Sequence, residues 1–400
     1  MEKIIVKYNE KVFRVGGSVR DELLGLDPED QDFVIEQVTP EQFESDFPQY
    51  KRVGKDFPVY MVNGNEVALA RVETKTGEKY QDYVVEAGRT IDEDLSRRDF
   101  THGSLAVRVI DNAIIDPFNG YEDIKLKVLR AVNPKAFKED PIRILRAARF
   151  IGRFDLVLDS YTRKLIEENT DALKNVTAER VTLEIEKSYK QLKHPGDFFR
   201  TLRSFGALVG PLKIFADMDL RYAGPFKHHG NDTILDHTLE AYDRAKEFGY
   251  PIHVAIAVLF HDVGKTITPE CIYIPKRQHI GHDLRGADII DDVIKQFRFD
   301  AHTVKLVKKT VAFHMKFHDL TKMRPLKLVE LFDRIGKIDF AEVVKAANCD
   351  SEFSEEQFTI VKKLFAAFSK KVELPSTIKD GEKIKHFVKN FRIEAYKAEI

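Results

Sequence analysis

A chain of 400 residues is longer than one hydrophobic core serves, so about two to four domains are expected. Hydrophobic residues make up 43% of it and charged ones 32%, and no apolar run approaches the ~20 residues of a membrane helix, so a soluble protein without membrane attachment is expected. Its 64 basic and 65 acidic residues nearly cancel, to a net charge of −1, which excludes a uniformly basic nucleic-acid binder but allows a local basic surface.

The first ten residues alternate charges with Ile4, Ile5 and Val6 and are expected as a strand rather than a secretion signal. As far as Asp123, short β-rich runs at 11–15, 32–38, 59–62, 67–73, 105–110 and 113–116 alternate with Gly, Asn and Asp turns. This pattern predicts an α+β domain with a small mixed sheet. From Pro141 the period becomes helical, with helices expected over 141–153, 160–170, 178–191 and 196–205. A stretch with Gly, Pro and His at 223–232 precedes a second helical block, which opens near Ile234 and ends on a basic amphipathic helix at 381–400. Cys271 and Cys349 build no disulfide framework, so a reducing cytoplasm is the expected location.

Val12 to Asp21 reads as a strand, a glycine turn and a helix start, with Ser18 as the cap and Asp21 reaching back to complete a capping box. Gly16 and Gly17 let the backbone approach a ligand closely, and the N–H groups of a first helical turn favour phosphate. Asp30–Gln31–Asp32 then leads into a strand, where residues i and i+2 share a face. Two carboxylates side by side repel unless a divalent cation lies between them, and Mg²⁺ prefers such oxygen ligands. Two solvated aspartates are the bland alternative; the glycine turn just before them favours the metal.

Residues 16–25 (Gly-Gly-Ser-Val-Arg-Asp-Glu-Leu-Leu-Gly) followed by Asp30–Gln31–Asp32 resemble the signature of class II nucleotidyltransferases of the polymerase-β superfamily. These include the CCA-adding enzymes of tRNA and bacterial poly(A) polymerases. The likeness continues through 53–59, 70–75, 94–101 and 116–120. It implies that Asp30 and Asp32 are catalytic through Mg²⁺, that Gly16, Gly17, Ser18 and Arg20 hold the triphosphate of ATP or CTP, and that Arg98 and Asp99 read the ribose. One departure stands out. After Arg98–Asp99–Phe100–Thr101 the family continues Ile-Asn-Ala-Leu, whereas this chain has His102–Gly103–Ser104–Leu105. Replacing Asn by Gly removes a hydrogen-bonding side chain, so sugar selection or turnover is expected to differ.

Asp140 is expected to cap the next helix, with Pro141 at its first position and Arg143 in the same turn. A carboxylate only accepts hydrogen bonds and a guanidinium only donates them. Cytosine and adenine both show an amino donor beside a ring-nitrogen acceptor, and guanine and uracil show the reverse, so this pair filters bases strongly. An ordinary cap with a helical salt bridge would look the same. The match to the family's Glu-Asp-x-x-Arg motif favours base reading by Asp140 and Arg143, with Glu139 supporting Arg143. Arg143, Arg146, Arg149 and Arg153 share a helix face, and Arg146 and Arg149 are expected along the triphosphate or RNA backbone. Glu179–Arg180–Val181, Lys187, Lys190, Lys193, Arg200 and Arg203 are expected to extend an RNA-facing surface.

In the second half, His261–Asp262 should end a helix that begins near His253, with Gly264 as its stop. An adjacent His-Asp pair can ligate one metal, with His237 and a distant Asp350 completing the set. His282 and His314 are expected to bind phosphate or to extend the site to a second metal. His228, His229, His279 and His318 have no assigned role. The order of these residues resembles the HD phosphohydrolases and the HD-bearing subgroup of CCA-adding enzymes, which implies phosphatase and cyclic-phosphodiesterase activity with a transition metal such as Ni²⁺. The expected division is a nucleotidyltransferase head at 1–130, a helical neck and body at 131–222, an HD domain at 223–355 and a helical tail at 356–400. The expected activity is template-independent CCA addition to tRNA from CTP and ATP, by a monomer or homodimer. A poly(A) polymerase, a partial CC- or A-adding enzyme, and an HD phosphohydrolase with an inactive RNA-binding head are the alternatives.

Overall fold

Ile4 and Tyr8 lie one helical turn apart, and in the computed structural model they belong to a helix, α1 (Glu2–Tyr8), instead of the expected strand. The i, i+4 spacing decides it: Ile4 is buried and the Tyr8 ring packs on Phe43 and Phe47, while Lys3 and Lys7 face outward. The structure describes all residues except 29–30, 54–58, 76, 78–82, 225–228, 230, 270–278, 376–378 and 399–400.

The head is built on β1 (Val12–Val15), α2 (Gly17–Leu23), β2 (Asp32–Ile35), α3 (Pro40–Asp46), β3 (Arg52–Val53), β4 (Val59–Val62) and β5 (Asn65–Leu69). β6 (Arg71–Lys75), β7 (Tyr83–Ala87), α4 (Ile91–Ser96), β8 (Ala106–Arg108) and β9 (Ile114–Ile115) complete it. The sheet runs β3-β4-β5-β2-β1-β8-β9, parallel between β2 and β5 and antiparallel elsewhere, which is the mixed sheet expected. Residues 67–73 do not form one strand, because β5 ends at Leu69 and β6 pairs with β7 in a separate hairpin. Alternation divides the core: Val12, Ile35, Val67 and Leu69 pack with Phe43 and Tyr60, while Phe13, Val15, Val34 and Ala106 pack with Leu95. The β1–β2 register sets Val15 opposite Asp32, so Asp32 lies beside the glycine turn that follows β1.

After α5 (Gly120–Lys125), the short strands β10 (Val128–Leu129) and β11 (Val157–Leu158) pair in parallel, with α6 (Ala136–Glu139) and α7 (Ile142–Phe154) between them in the chain. A Cβ on Gly120 would lie 2.1 Å from the Thr101 carbonyl oxygen, so only glycine lets α5 approach the loop after Arg98–Asp99. α8 (Ser160–Glu167) gives way to a 3₁₀ turn at Thr170–Asn175, short of the single helix expected; α9 (Ala178–Gln191) and α10 (Gly196–Ser204) follow.

Contacts divide the chain into two units, Met1–Arg180 with Thr201–Gly210, and Val181–Arg200 with Pro211–Ile400. Within the first, Arg163 lies over the Phe205 ring, and Gly210, at φ 59°, leaves no room for a Cβ, which would sit 2.8 Å from Lys174 Cα. The second unit is helical: α11 (Lys213–Asp219), α12 (Ile234–Glu247), α13 (Ile252–Phe260), α14 (His282–Ile294), α15 (Ala301–His318), α16 (Pro325–Ile335), α17 (Lys337–Asp350), α18 (Glu355–Ser369) and α19 (Gly381–Lys397). Seven of the nine residues of α13 are buried, because α12, α15 and α17 all pack against it. Among the described residues, no helix is long and apolar enough to cross a membrane.

Candidate active sites

In the head, Gly16 adopts φ 76° and starts α2; a Cβ there would meet Arg98 Nη1 at 3.3 Å and Asp32 Oδ2 at 3.6 Å. The turn is therefore a cradle that a larger residue would fill. The capping box does not form: the Ser18 hydroxyl is buried and donates to the Val15 carbonyl, while Asp21 accepts from Arg20 and Arg153. Short-range hydrogen bonding to the strand outcompetes the cap. Asp30 lies outside the described residues.

Gly16, Gly17, Arg20, Asp32, Arg98, Asp99, Asp140, Arg143 and Arg146 line one cavity of about 450 Å³. Ser18, Glu139 and Arg149 are not among the described residues that line it. Arg149 is buried with its guanidinium on the Phe150 ring, and Glu139 stands 3.9 Å from Arg143. Arg98 donates to the fully buried Asp94, and Arg146 Nε to Asp99 Oδ2 at 2.6 Å. Burial alone would raise the Asp99 pKa, but the Arg146 guanidinium outweighs it and holds the carboxyl well below the usual range. The arginine face of α7 is thus tied to head carboxylates rather than solvated, since Arg153 also donates to Asp21. Glu73, to which no role was assigned, faces the same cavity and pairs with Arg71 and Arg97.

Pro141 takes the cap position of α7, one residue later than expected, and Asp140, with extended backbone angles, stands just before it with Oδ1 accepting from the Ile142 N–H at 3.3 Å. Its carboxylate receives two hydrogen bonds from Arg180, at 2.9 and 2.7 Å. Arg180, expected on an RNA-facing surface, holds the Asp140 carboxylate in place. Arg143 Nη2 donates to the Arg97 carbonyl at 2.6 Å, which fixes the second group of the pair. Arg200, from the same expected surface, is bound to Asp197 and Asp243.

His102 takes the place of an isoleucine in the family pattern and is buried among Phe100, Phe150 and Phe154. Burial, reinforced by the Arg20 guanidinium, pushes its pKa down to about 3, and neither ring nitrogen has a hydrogen-bond partner among the described residues. Gly103 keeps an unexceptional φ, a Cβ there would meet Asp99 Oδ1 at an ordinary contact distance of 3.8 Å, and the Ser104 hydroxyl donates to the Phe100 carbonyl.

The second centre unites His237, His261, Asp262, His282, His314 and Asp350. His237 Nε2 is 2.8 Å from Asp350 Oδ1, and His261 Nε2 lies 3.2 Å from Asp262 Oδ2 and 3.4 Å from Asp350 Oδ1. His282 Nε2 and His314 Nε2 are 3.1 and 3.6 Å from Asp262 Oδ1. The Nδ1 atoms of His261, His282 and His314 each face a backbone carbonyl, of Val258, His279 and Thr310. A proton on each Nδ1 leaves each Nε2 a lone pair aimed at the centre. His282 Nε2 and His314 Nε2 then face each other at 3.2 Å, and His261 Nε2 is buried without a hydrogen bond among the described residues. Such a donor set fits a cation. Burial opposes charge on His261, yet Asp262 and Asp350 push its pKa up to about 10, so the centre stabilises a positive charge there, whether proton or metal.

Two further residues escaped the sequence reading. His318 Nε2 is 2.8 Å from Asp350 Oδ2, and Lys265 Nζ is 2.6 Å from Asp262 Oδ2. Spacing held a usable signal for His318, which lies one helical turn beyond His314 on α15. His229 and His279 line the same cavity of about 660 Å³, His229 edge-on to His237, while His228 lies outside the described residues. Gly264 does not stop α13, which ends at Phe260; it sits in a 3₁₀ turn where a Cβ would lie 1.9 Å from the His282 carbonyl oxygen and 2.5 Å from Gly286 N. Close backbone packing, not a helix cap, requires this glycine.

Residues 12–130 match the poly A polymerase head domain family and residues 234–368 the HD domain family. The chain is 36% identical over 355 residues to a multifunctional CCA protein of Nitrosomonas eutropha, covering 86% of this chain and 83% of that one. It is 33% identical to one of Burkholderia lata, covering 96% and 97%. Its fold is similar to that of a Thermotoga maritima CCA-adding enzyme complexed with tRNA-CCA, with a TM-score of 0.65, 20% identity, and 99% and 92% of the two chains covered.

Proposed function

Since this chain belongs to the family of multifunctional CCA proteins, we propose that it adds and repairs the 3′-terminal CCA of tRNA from CTP and ATP with release of pyrophosphate, and hydrolyses phosphate esters at its histidine and aspartate centre. The observation that carries the first activity is Asp140, held by Arg180 beside Arg143 on the cavity that Gly16, Asp32, Arg98 and Asp99 also line. In this reading the chain divides into a head at 1–130, a neck and body at 131–222, an HD domain at 223–355 and a tail at 356–400.

Gly16, Gly17 and Arg20 take the triphosphate and Arg98 and Asp99 the ribose. Arg146 keeps Asp99 ionised and so able to accept from a sugar hydroxyl. The Asp140 carboxylate accepts from the exocyclic amino group of cytosine or adenine, and Arg143 donates to the adjacent ring nitrogen; uracil and guanine leave both unpaired. Asp30 and Asp32 would hold Mg²⁺, which supplies activation of the tRNA 3′-hydroxyl and neutralisation of the pyrophosphate in an in-line displacement at the α-phosphate. In the second centre His237, His261, Asp262 and Asp350 would hold a transition metal such as Ni²⁺, with His282 and His314 placed for phosphate or a second ion. Lys265 and His318 orient the two aspartates from outside.

The test is incorporation of labelled CTP and ATP, separately and together, onto tRNA lacking its 3′ end, with Mg²⁺ present. Addition of C, C and then A, followed by arrest, is the expected result. Long A tracts would identify a poly(A) polymerase, and C alone or A alone a partial enzyme. No incorporation with phosphatase activity retained would reduce the head to a binding module.

A further inference from the structure

Helices α13, α15 and α17, which carry His261, His314 and Asp350 toward the HD centre, also converge on a second trio at their other ends. His253 is the second residue of α13, His302 the second of α15, and Glu342 lies in the first half of α17. One ligand atom from each lies within 4.8 Å of the other two. His253 Nε2 is 2.9 Å from Glu342 Oε1, and His302 Nε2 is 3.0 Å from Oε2 and 3.3 Å from Oε1.

We propose that His253, His302 and Glu342 form a further cation site, for Zn²⁺ or another late first-row metal, separate from the HD centre. Two imidazoles and a carboxylate are a ligand set that Zn²⁺ accepts, with water in its fourth position. Bonds of 2.0–2.2 Å in a tetrahedral array put neighbouring ligand atoms about 3.4 Å apart, against nitrogen–oxygen distances of 2.9 to 3.3 Å here, so the carboxylate would draw back slightly to admit the ion. Among the described residues Glu342 Oε2 is buried and accepts no hydrogen bond, although His302 Nε2 stands 3.0 Å away. Both imidazoles hydrogen-bond to Oε1, so Oε2 keeps its lone pairs for a cation. The His302 side chain is 45% exposed and that of Glu342 18%, so solvent reaches the trio. His253 precedes His261 by eight helical positions, as Glu342 precedes Asp350, which separates the two centres by about 12 Å.

The test is a Zn²⁺ titration of the metal-stripped full-length protein by calorimetry, repeated with Co²⁺ to read ligand-field absorption. The wild type is expected to take up one more Zn²⁺ per chain than His302→Ala and to show a tetrahedral Co²⁺ band that this variant loses. His302→Ala removes a half-exposed side chain, so its folding is expected to persist, and unchanged CTP incorporation checks this. Glu342→Gln should bring the same loss by removing the charge while keeping the shape. Equal Zn²⁺ stoichiometry and equal Co²⁺ spectra in the wild type and His302→Ala would overturn the proposal and leave the trio as a salt-bridged cluster.

Discussion

Arg180 and Asp140 are forty positions apart, and base selection is expected to depend on the bond between them. Arg180→Ala would remove two charge-assisted hydrogen bonds of 2.9 and 2.7 Å and leave the Asp140 carboxylate without that clamp. Bonds of this kind contribute about 1.5–3 kcal/mol each when buried. Both side chains are about a fifth exposed, at 23% and 18%, so screening reduces the joint effect to about 2 kcal/mol. At 1.4 kcal/mol per factor of ten, kcat/KM for CTP should fall ~30-fold. Incorporation of UTP, which gains nothing from an aimed Asp140, should fall far less, so the CTP:UTP ratio narrows. Arg180→Lys keeps the charge but loses the two-pronged geometry, and should lie between. The assay is single-nucleotide incorporation onto tRNA lacking its 3′ end, with CTP and UTP measured in parallel. A lowered unfolding temperature with an unchanged CTP:UTP ratio would refute the reasoning and make the pair merely structural.

Three further outcomes follow from other contacts. The folded pKa of His102, about 3, lies below its unfolded value near 6.5, so the unfolded chain takes the proton first and stability is lost as pH falls between these values. At pH 5 this amounts to about 2 kcal/mol, which His102→Ile should recover relative to pH 7 in urea unfolding; parallel losses in the two proteins would contradict it. Gly264→Ala pushes a methyl into the His282 carbonyl, and overpacking against backbone costs about 1–3 kcal/mol or more. Phosphatase activity and metal affinity at the HD centre should drop together while CTP incorporation persists. Asp32→Ala should abolish nucleotide incorporation and leave phosphatase activity intact, and joint loss in a folded protein would argue against two separate centres.

The residues that a local pattern carries were legible in the sequence. Asp32 beside the glycine turn, Asp140 with Pro141 and Arg143, and His261–Asp262 at a helix end all stand where their spacing put them, because short-range geometry fixes them. What local pattern could not give were partners supplied by the fold. Arg180 reaches Asp140 from another helix, and Lys265 and His318 bind aspartates whose position only packing determines. The glycine at 264 was misread for the same reason: its neighbour is a carbonyl eighteen residues on, not the helix before it. The first ten residues were misread differently. The β-branched run Ile4–Ile5–Val6 between charged residues imitates a strand, and burial of Ile4 with the Tyr8 ring packed beside it settles the matter only once Phe43 and Phe47 are in place.

The partition of the chain has a consequence for its inheritance. Residues 181–200 leave the first unit, 201–210 return to it, and 211 onward leave it again. A gene cut once, at any position, cannot release either unit whole. A fragment ending at 180 would lack Phe205 beneath Arg163 and Gly210 against Lys174, and a fragment starting at 181 would carry that segment with nothing to pack on. The nucleotide-adding and ester-cleaving halves cannot be shuffled apart by simple fission, so loss of the second activity is expected to arise by erosion of its histidines and aspartates in place rather than by truncation.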